Sequence, residues 1–314
     1  FQPDWVWVKK RSTAGDHKLI DSTRGVGQVL ESNTTDTEAD ESSSFTAFGA
    51  DGFSLAGTAG AWNENANNYV AWNWKANGGT TSSNTDGSIT STVQASTTSG
   101  FSIVTYTGAG SAGTVGHGLG AVPKWLIVRN RTEAYNWKVY HAGNTSAPET
   151  DYLVLDNTDV TADNVTHWAD TAPTSTVFSL GTSNALIKNT NTFVAYCFAE
   201  VEGYSKFGSY TGNGNANGTF VFTGFRPAWV MVKRTDSADH WNILDVKRDT
   251  FNVMDTRLLA NNSTGEQTSS SYYVDFTSNG FKLRTSDSGW NGSGASYIYM
   301  AFADGQPFKY ANGR

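Results

Sequence analysis

Five histidines, 29 acidic residues and one cysteine are the groups in this 314-residue chain that could do chemistry, and their spacing decides which chemistry is open to them. Metal binding asks for ligands a few residues apart on one element. His17, His117, His141, His167 and His240 form no His-x-His or His-x-x-x-His pair. Asp151, Asp156, Asp159 and Asp163 offer oxygens to Ca2+, though not at the spacing of an EF-hand loop. Glycoside cleavage requires two carboxylates held roughly 5 to 9.5 Å apart. The acids gather instead in Asp36, Glu38, Asp40 and Glu41, the pattern of a solvated loop. Asp21 and Asp245 each stand 18 residues after a proline, but the matching position after a third proline is His141, so no acid role is common to all three. His117 occupies a glycine-rich turn with no Lys-Ser/Thr or helical pattern after it, and no Gly-x-Ser-x-Gly elbow occurs. Cys197 lies in the apolar run Phe193 to Phe198, where a thiol serves as a small buried side chain. No catalytic residue, metal site or cofactor is expected.

Aromatic residues beside amides are the remaining binding candidates. Trp62-Asn63 and Trp290-Asn291 lie in Asn/Gly-rich stretches expected to be exposed, where an indole face with an amide neighbour could hold a sugar ring. The competing reading is a tryptophan that packs a loop onto the fold. Trp137 and Trp241 fall on expected strands and read as core.

These side chains are positioned by a repeat. Phe1-Gln2-Pro3-Asp4-Trp5-Val6-Trp7-Val8-Lys9 returns as Ala121-Val122-Pro123-Lys124-Trp125-Leu126-Ile127-Val128-Arg129 and again as Phe225-Arg226-Pro227-Ala228-Trp229-Val230-Met231-Val232-Lys233. A proline at the mouth of a strand suits its fixed φ and leaves no gap in the ladder. Tyr106-Thr107-Gly108 precedes Pro123 by 15 residues, counted from its glycine, and Tyr210-Thr211-Gly212 precedes Pro227 by the same 15, so copies two and three share one register offset by 104. Each copy closes on a strand: Tyr69 to Trp74, Phe193 to Phe198, Tyr297 to Phe302. Val70, Trp72 and Trp74 match Val194, Tyr196, Phe198 and Ile298, Met300, Phe302 on one apolar face. Asp51-Gly52 and Asn279-Gly280 signal two-residue type I′ hairpins, and Val160 to Trp168 signals one short helical turn.

The repeat units are expected at 1–78, 100–202 and 203–314, with a Ser/Thr-rich linker at 79–99 that could hide a strand at Ser88 to Val93. That slack predicts a first unit packed more loosely than the other two. The Pro-Trp strands are apolar on both faces, Trp5 and Trp7 against Val6 and Val8, so each needs a second cover from a neighbouring copy or another subunit. Trp5, Trp7, Trp125, Trp229 and Met231 are the packing and assembly candidates. Residue 1 falls inside the first copy, which lacks the Tyr-Thr-Gly strand of its siblings. That strand is expected from residues upstream of Phe1, from Ser88 to Val93, or from a neighbouring chain.

With 16% charged residues, 13% aromatics and 32 glycines, the composition reads as all-β with many turns. Tandem antiparallel β-sandwich repeats of jelly-roll or lectin-like kind are expected. The net charge of −7 with scattered basic residues argues against a nucleic-acid partner, and no apolar run is long enough for a membrane helix.

Gly116-His117-Gly118-Leu119-Gly120-Ala121-Val122-Pro123-Lys124, the run from Tyr196 to Gly214, and Gly224-Phe225-Arg226-Pro227-Ala228-Trp229-Val230 resemble a domain of unknown function. It occurs, usually in tandem, in virion proteins of marine tailed phages such as cyanophages, and the resemblance covers essentially the whole chain. The C-terminal Pro307 to Arg314 resembles the natural end of such proteins. The resemblance implies a non-enzymatic structural protein of the virion surface, a tail fibre or capsid decoration. Its partners would be copies of itself as a homo-oligomer such as a trimer, other virion proteins and, in a lectin-like alternative, host-surface glycans. A polysaccharide depolymerase is the remaining reading.

Overall fold

The three Pro-Trp runs become inner strands of three antiparallel sheets in the computed structural model, which describes residues 1–303. Pro307 to Arg314 lies outside the described residues. Unit 1 is β1 (Trp5–Lys10), β2 (Lys18–Asp21), β3 (Gln28–Glu31), β4 (Ala39–Asp40), β5 (Phe45–Gly49), β6 (Gly52–Leu55) and β7 (Tyr69–Trp74). Its large sheet runs β4-β3-β2-β1-β7, with β5 and β6 as a separate hairpin.

Unit 2 contains β8 (Ser82–Asn84), β9 (Ser91–Ser96), β10 (Phe101–Thr107), β11 (Gly113–Gly116), β12 (Trp125–Asn130), β13 (Lys138–His141), β14 (Asp151–Val154), β15 (Ala162–Asp163), β16 (Val177–Leu180) and β17 (Thr192–Phe198). Helices α1 (Val165–Trp168) and α2 (Asn184–Ile187) are single turns, the first inside the span the sequence marks. The large sheet runs β15-β14-β13-β12-β17-β10-β9-β8, and β11 pairs with β16.

Unit 3 follows with β18 (Ser205–Thr211), β19 (Phe220–Phe222), β20 (Pro227–Arg234), β21 (Trp241–Asp245), β22 (Thr256–Leu259), β23 (Gln267–Thr268), β24 (Val274–Thr277), β25 (Gly280–Leu283), the turn α3 (Ser288–Asn291) and β26 (Ser296–Ala303). Its sheets run β18-β26-β20-β21-β22-β23 and β19-β25-β24. The chain is all-β, as the composition predicts.

Alternation assigns the two faces of each large sheet. Val6 and Val8, Leu126 and Val128, and Val230 and Val232 point to separate cores beneath the small sheets of their own units. Trp5, Trp7, Trp125, Ile127, Trp229 and Met231 point the other way, into one core shared by all three units. The second cover that a two-sided apolar strand demands therefore comes from the sibling units.

Three expectations need correction. The stretch 79–99 holds β8 and β9, and β9 pairs with β10, so it widens the sheet of unit 2 and does not fill the gap in unit 1. Unit 1 is no loose neighbour, because Trp5 and Trp7 are buried as deeply in the shared core as Trp125. Trp5 to Lys9 is covered on one side by β7, and β7 is itself an edge strand among the described residues. Finally, the hairpin loops are Ala50-Asp51 and Ser278-Asn279, none of these four has positive φ, and the turns are not type I′. The glycines sit one step later, on the strand, and at Gly280 the missing Cβ serves a close approach: a Cβ there would meet the Val221 carbonyl at 2.1 Å.

Candidate functional site

The shared core is where the repeated side chains converge. Trp5 stacks on Tyr196 of unit 2 at 4.4 Å between ring centroids, Trp125 meets Trp241 of unit 3 at 5.9 Å, and Trp229 meets Trp74 of unit 1 at 5.7 Å. Around it, positions equally spaced from the three prolines close into rings of hydrogen bonds.

Six residues after each proline comes the cation that ends the strand. Lys9 Nζ donates to the Ser263 carbonyl of unit 3 at 3.1 Å, Arg129 Nη2 to Asp36 of unit 1 at 2.6 Å, and Lys233 Nζ to Thr158 of unit 2 at 3.3 Å. All three side chains are fully buried. Burial pushes Lys9 and Lys233 down to about 8 and Arg129 down to about 10.

Fourteen residues after the prolines stand His17, Trp137 and Trp241. The Trp7 indole N–H donates to His17 Nδ1 at 2.8 Å, which fixes the proton on Nε2, and Nε2 donates to the Leu259 carbonyl of unit 3 at 2.9 Å. Trp137 Nε1 donates to Glu31 of unit 1 at 2.7 Å and Trp241 Nε1 to Val154 of unit 2 at 2.8 Å. Each acceptor is the last residue of the third strand of its large sheet, β3, β14 or β22.

The position 18 after the prolines, mixed between acid and histidine, now has a role. Asp21 accepts from the Tyr196 hydroxyl of unit 2 at 2.8 Å, and Asp245 accepts from Trp72 Nε1 of unit 1 at 3.2 Å. The matching residue of unit 3 is Met300, which has no N–H or O–H to donate. There the middle unit presents His141, whose Nδ1 accepts from the Gly143 amide and whose Nε2 donates to the Tyr299 carbonyl at 3.2 Å. Burial drives His141 down to about 3, so the ring is neutral. A carboxylate facing Met300 would lack the side-chain donor that Tyr196 and Trp72 give Asp21 and Asp245, and its burial would go uncompensated across the joint. Asp21 and Asp245 are each paired with an arginine three residues on, Arg24 and Arg248, in an Asp-x-x-Arg pattern that the sequence repeats.

The loop Asp36 to Glu41 is only partly solvated. Glu38 takes a bidentate pair from Arg131 at 2.9 and 2.6 Å and a third bond from Arg24 at 2.8 Å, joining units 1 and 2. Burial alone would raise its carboxyl, but the two guanidinium groups hold it below the ordinary value. Glu41 accepts from Lys18 at 2.6 Å and from Trp62 Nε1.

The packing candidates Trp5, Trp7, Trp125, Trp229 and Met231 all lie in the shared core. The glycan candidates are not brought together: Trp62 is in the core of unit 1 and Trp290 in that of unit 3, each 1% exposed. The expected exposure of these two indoles is overturned, and neither face is open to a sugar ring. Asn291 is also buried, with Nδ2 shared between Asn213, Asn215 and Thr285, while Asn63 is exposed. His117 is a turn residue, accepting from the Leu119 amide at 3.2 Å and meeting the Thr174 carbonyl at 3.2 Å. Cys197 is buried and burial pushes its thiol up to about 12. Among the described residues no group of three His, Cys, Asp or Glu is placed to hold a metal, and no helix is long and apolar enough to cross a membrane.

Two features escaped the sequence: the ring at position 14, where histidine and tryptophan do one job, and the Asp-x-x-Arg pairs. The second left a signal, the equal placement of Asp21-Arg24 and Asp245-Arg248.

Several antiparallel sheets, the largest three meeting at one tryptophan-rich centre, define an all-β protein. A family model described as a domain of unknown function, DUF7483, matches residues 1–307, and the chain belongs to that family. Neither the curated proteins nor the solved structures include a match to it.

Proposed function

We propose that the chain is a non-enzymatic structural protein of a virion surface, a tail-fibre or capsid-decoration component built of sandwich units of jelly-roll, lectin-like kind. The observation that carries the structural role is the fate of the repeated titratable groups. Lys9, Arg129, Lys233, Asp21, His141 and Asp245 are all spent holding units together. A catalytic residue needs free hydrogen-bonding capacity aimed at a substrate. These point at neighbouring strands. The virion setting rests on the resemblance of the runs around Pro123, Gly203 and Pro227 to phage virion proteins. The one-chain trimer supports it by mimicking, within one polypeptide, the closed assembly that surface proteins commonly make between subunits.

Antibody raised against the folded protein should decorate the outer surface of purified particles in negative-stain images. Particles that carry none of the chain, with all of it in the soluble fraction of the lysate, would overturn the reading.

A further inference from the structure

In units 2 and 3 the closing strand lies between two partners, β17 between β12 and β10 and β26 between β20 and β18. In unit 1, β7 pairs with β1 alone among the described residues. The small sheets repeat the difference, for β25 is flanked by β24 and β19 whereas β6 has only β5. Among the described residues unit 1 thus has no counterpart of β10 and β18 or of β11 and β19, and both open edges border the same core.

What remains in unit 1 is built to receive them. Tyr297 donates to the Ser288 carbonyl at 2.5 Å and accepts from the Gly292 amide at 2.8 Å; Tyr69 does the same with Gly60 at 2.8 Å and Glu64 at 3.0 Å. Trp62 and Asn63 follow Gly60 just as Trp290 and Asn291 follow Ser288. In unit 3 the leading strand completes this turn: Tyr210 donates to the Trp290 carbonyl at 2.8 Å, and Asn213 exchanges two bonds with Asn291. In unit 2, Tyr106 donates likewise to Leu186 at 2.7 Å. Asn63 keeps only the bond equivalent to Asn291 with Thr285, to Gly57 at 3.0 Å, and points its remaining capacity to solvent.

Gly52 gives an independent mark. Its counterpart Gly280 has no room for a Cβ because β19 passes at 2.1 Å, yet around Gly52 there is nothing within 4 Å. The apolar residues agree, since Phe281 and Leu283 are buried while Phe53 and Leu55 are half-buried, and Phe225 is 1% exposed while Phe1 is 62% exposed.

We propose that the open side of unit 1 is a strand-acceptor site for a two-strand segment of the leading type, the kind that Tyr204 to Phe222 supplies in unit 3. The incoming segment adds one strand to β7 and a second to β6, with a tyrosine donating to the Trp62 carbonyl and an asparagine after Tyr-Thr-Gly pairing with Asn63. Residues 1–303 of another copy cannot supply it, because β10 and β18 are already paired within their own units. The site stands whether or not the protein belongs to a virion.

The test uses a synthetic peptide with the sequence of Tyr204 to Phe222, added to the intact protein. Saturable binding at one peptide per chain is expected, with new hydrogen-exchange protection over Tyr69 to Trp74. Gly52→Val places a side chain in open space in the free protein, so its melting temperature should be unchanged, but it blocks the second strand and should weaken binding about tenfold or more. Absence of saturable binding, protection appearing in unit 3 in place of unit 1, or equal binding by Gly52→Val would each overturn the proposal.

Discussion

Lys9 and Lys233 carry ammonium groups into fully buried positions where their hydrogen bonds go to backbone carbonyls. Burial holds both near 8, below the ordinary lysine value of 10.5. Between those limits the unfolded chain binds protons that the folded chain has released, so stability rises with pH through the window. Above about pH 10 the trend reverses, because burial raises the Tyr196 and Tyr210 hydroxyls well above the usual phenol range. Melting temperature should therefore climb from pH 8 to 10, and the double variant Lys9→Met, Lys233→Met should flatten the climb. A wild-type melting temperature that falls across this window would contradict the assignment. In acid the sign follows the histidines: burial keeps His141 near 3 and His17 well below 6.5, so stability drops as pH falls below 6.5. At this scale the donors were legible, because prolines mark the register and put Lys9, Arg129 and Lys233 in line. The acceptors were not, since they are carbonyls at strand ends that carry no residue-type signature.

Among the elements, the Pro-Trp strand bears the most load. Trp229 touches Trp72, Trp74 and Phe302, so Trp229→Ser opens a cavity at a joint between two units. Urea unfolding should show a loss of about 3–5 kcal/mol, the usual range for removing a buried large aromatic. A loss under about 1 kcal/mol would mean that the joint is not loaded there. The period-two pattern made this strand and the closing strands readable, and it correctly demanded a second apolar cover. It misjudged Trp62 and Trp290, because Asn/Gly-rich sequence looks like exposed loop whether or not its tryptophan turns inward. Gly52 and Gly280 misled for a related reason: a glycine next to an Asp or Asn reads as a turn signal, while both sit on the strand after the turn, and Gly280 there makes room for β19.

At the scale of the molecule, the three units are bound by one core and by rings that run both ways around it, so every unit holds both neighbours. Such a centre couples the units energetically, and tryptophan fluorescence and far-ultraviolet circular dichroism should report one coincident unfolding transition. The threefold recurrence of the Pro-Trp strand was plain from the repeat, whereas the closure of the three large sheets on each other was not, because sequence gives the apolar face without saying which copy covers it. The most direct measurement is hydrogen exchange on Met231→Ala, a truncation confined to unit 3 that faces only the shared core. Protection should fall by a similar amount in β1, β12 and β20. A fall confined to residues 203–303, with β1 and β12 as protected as in the wild type, would contradict a core held in common.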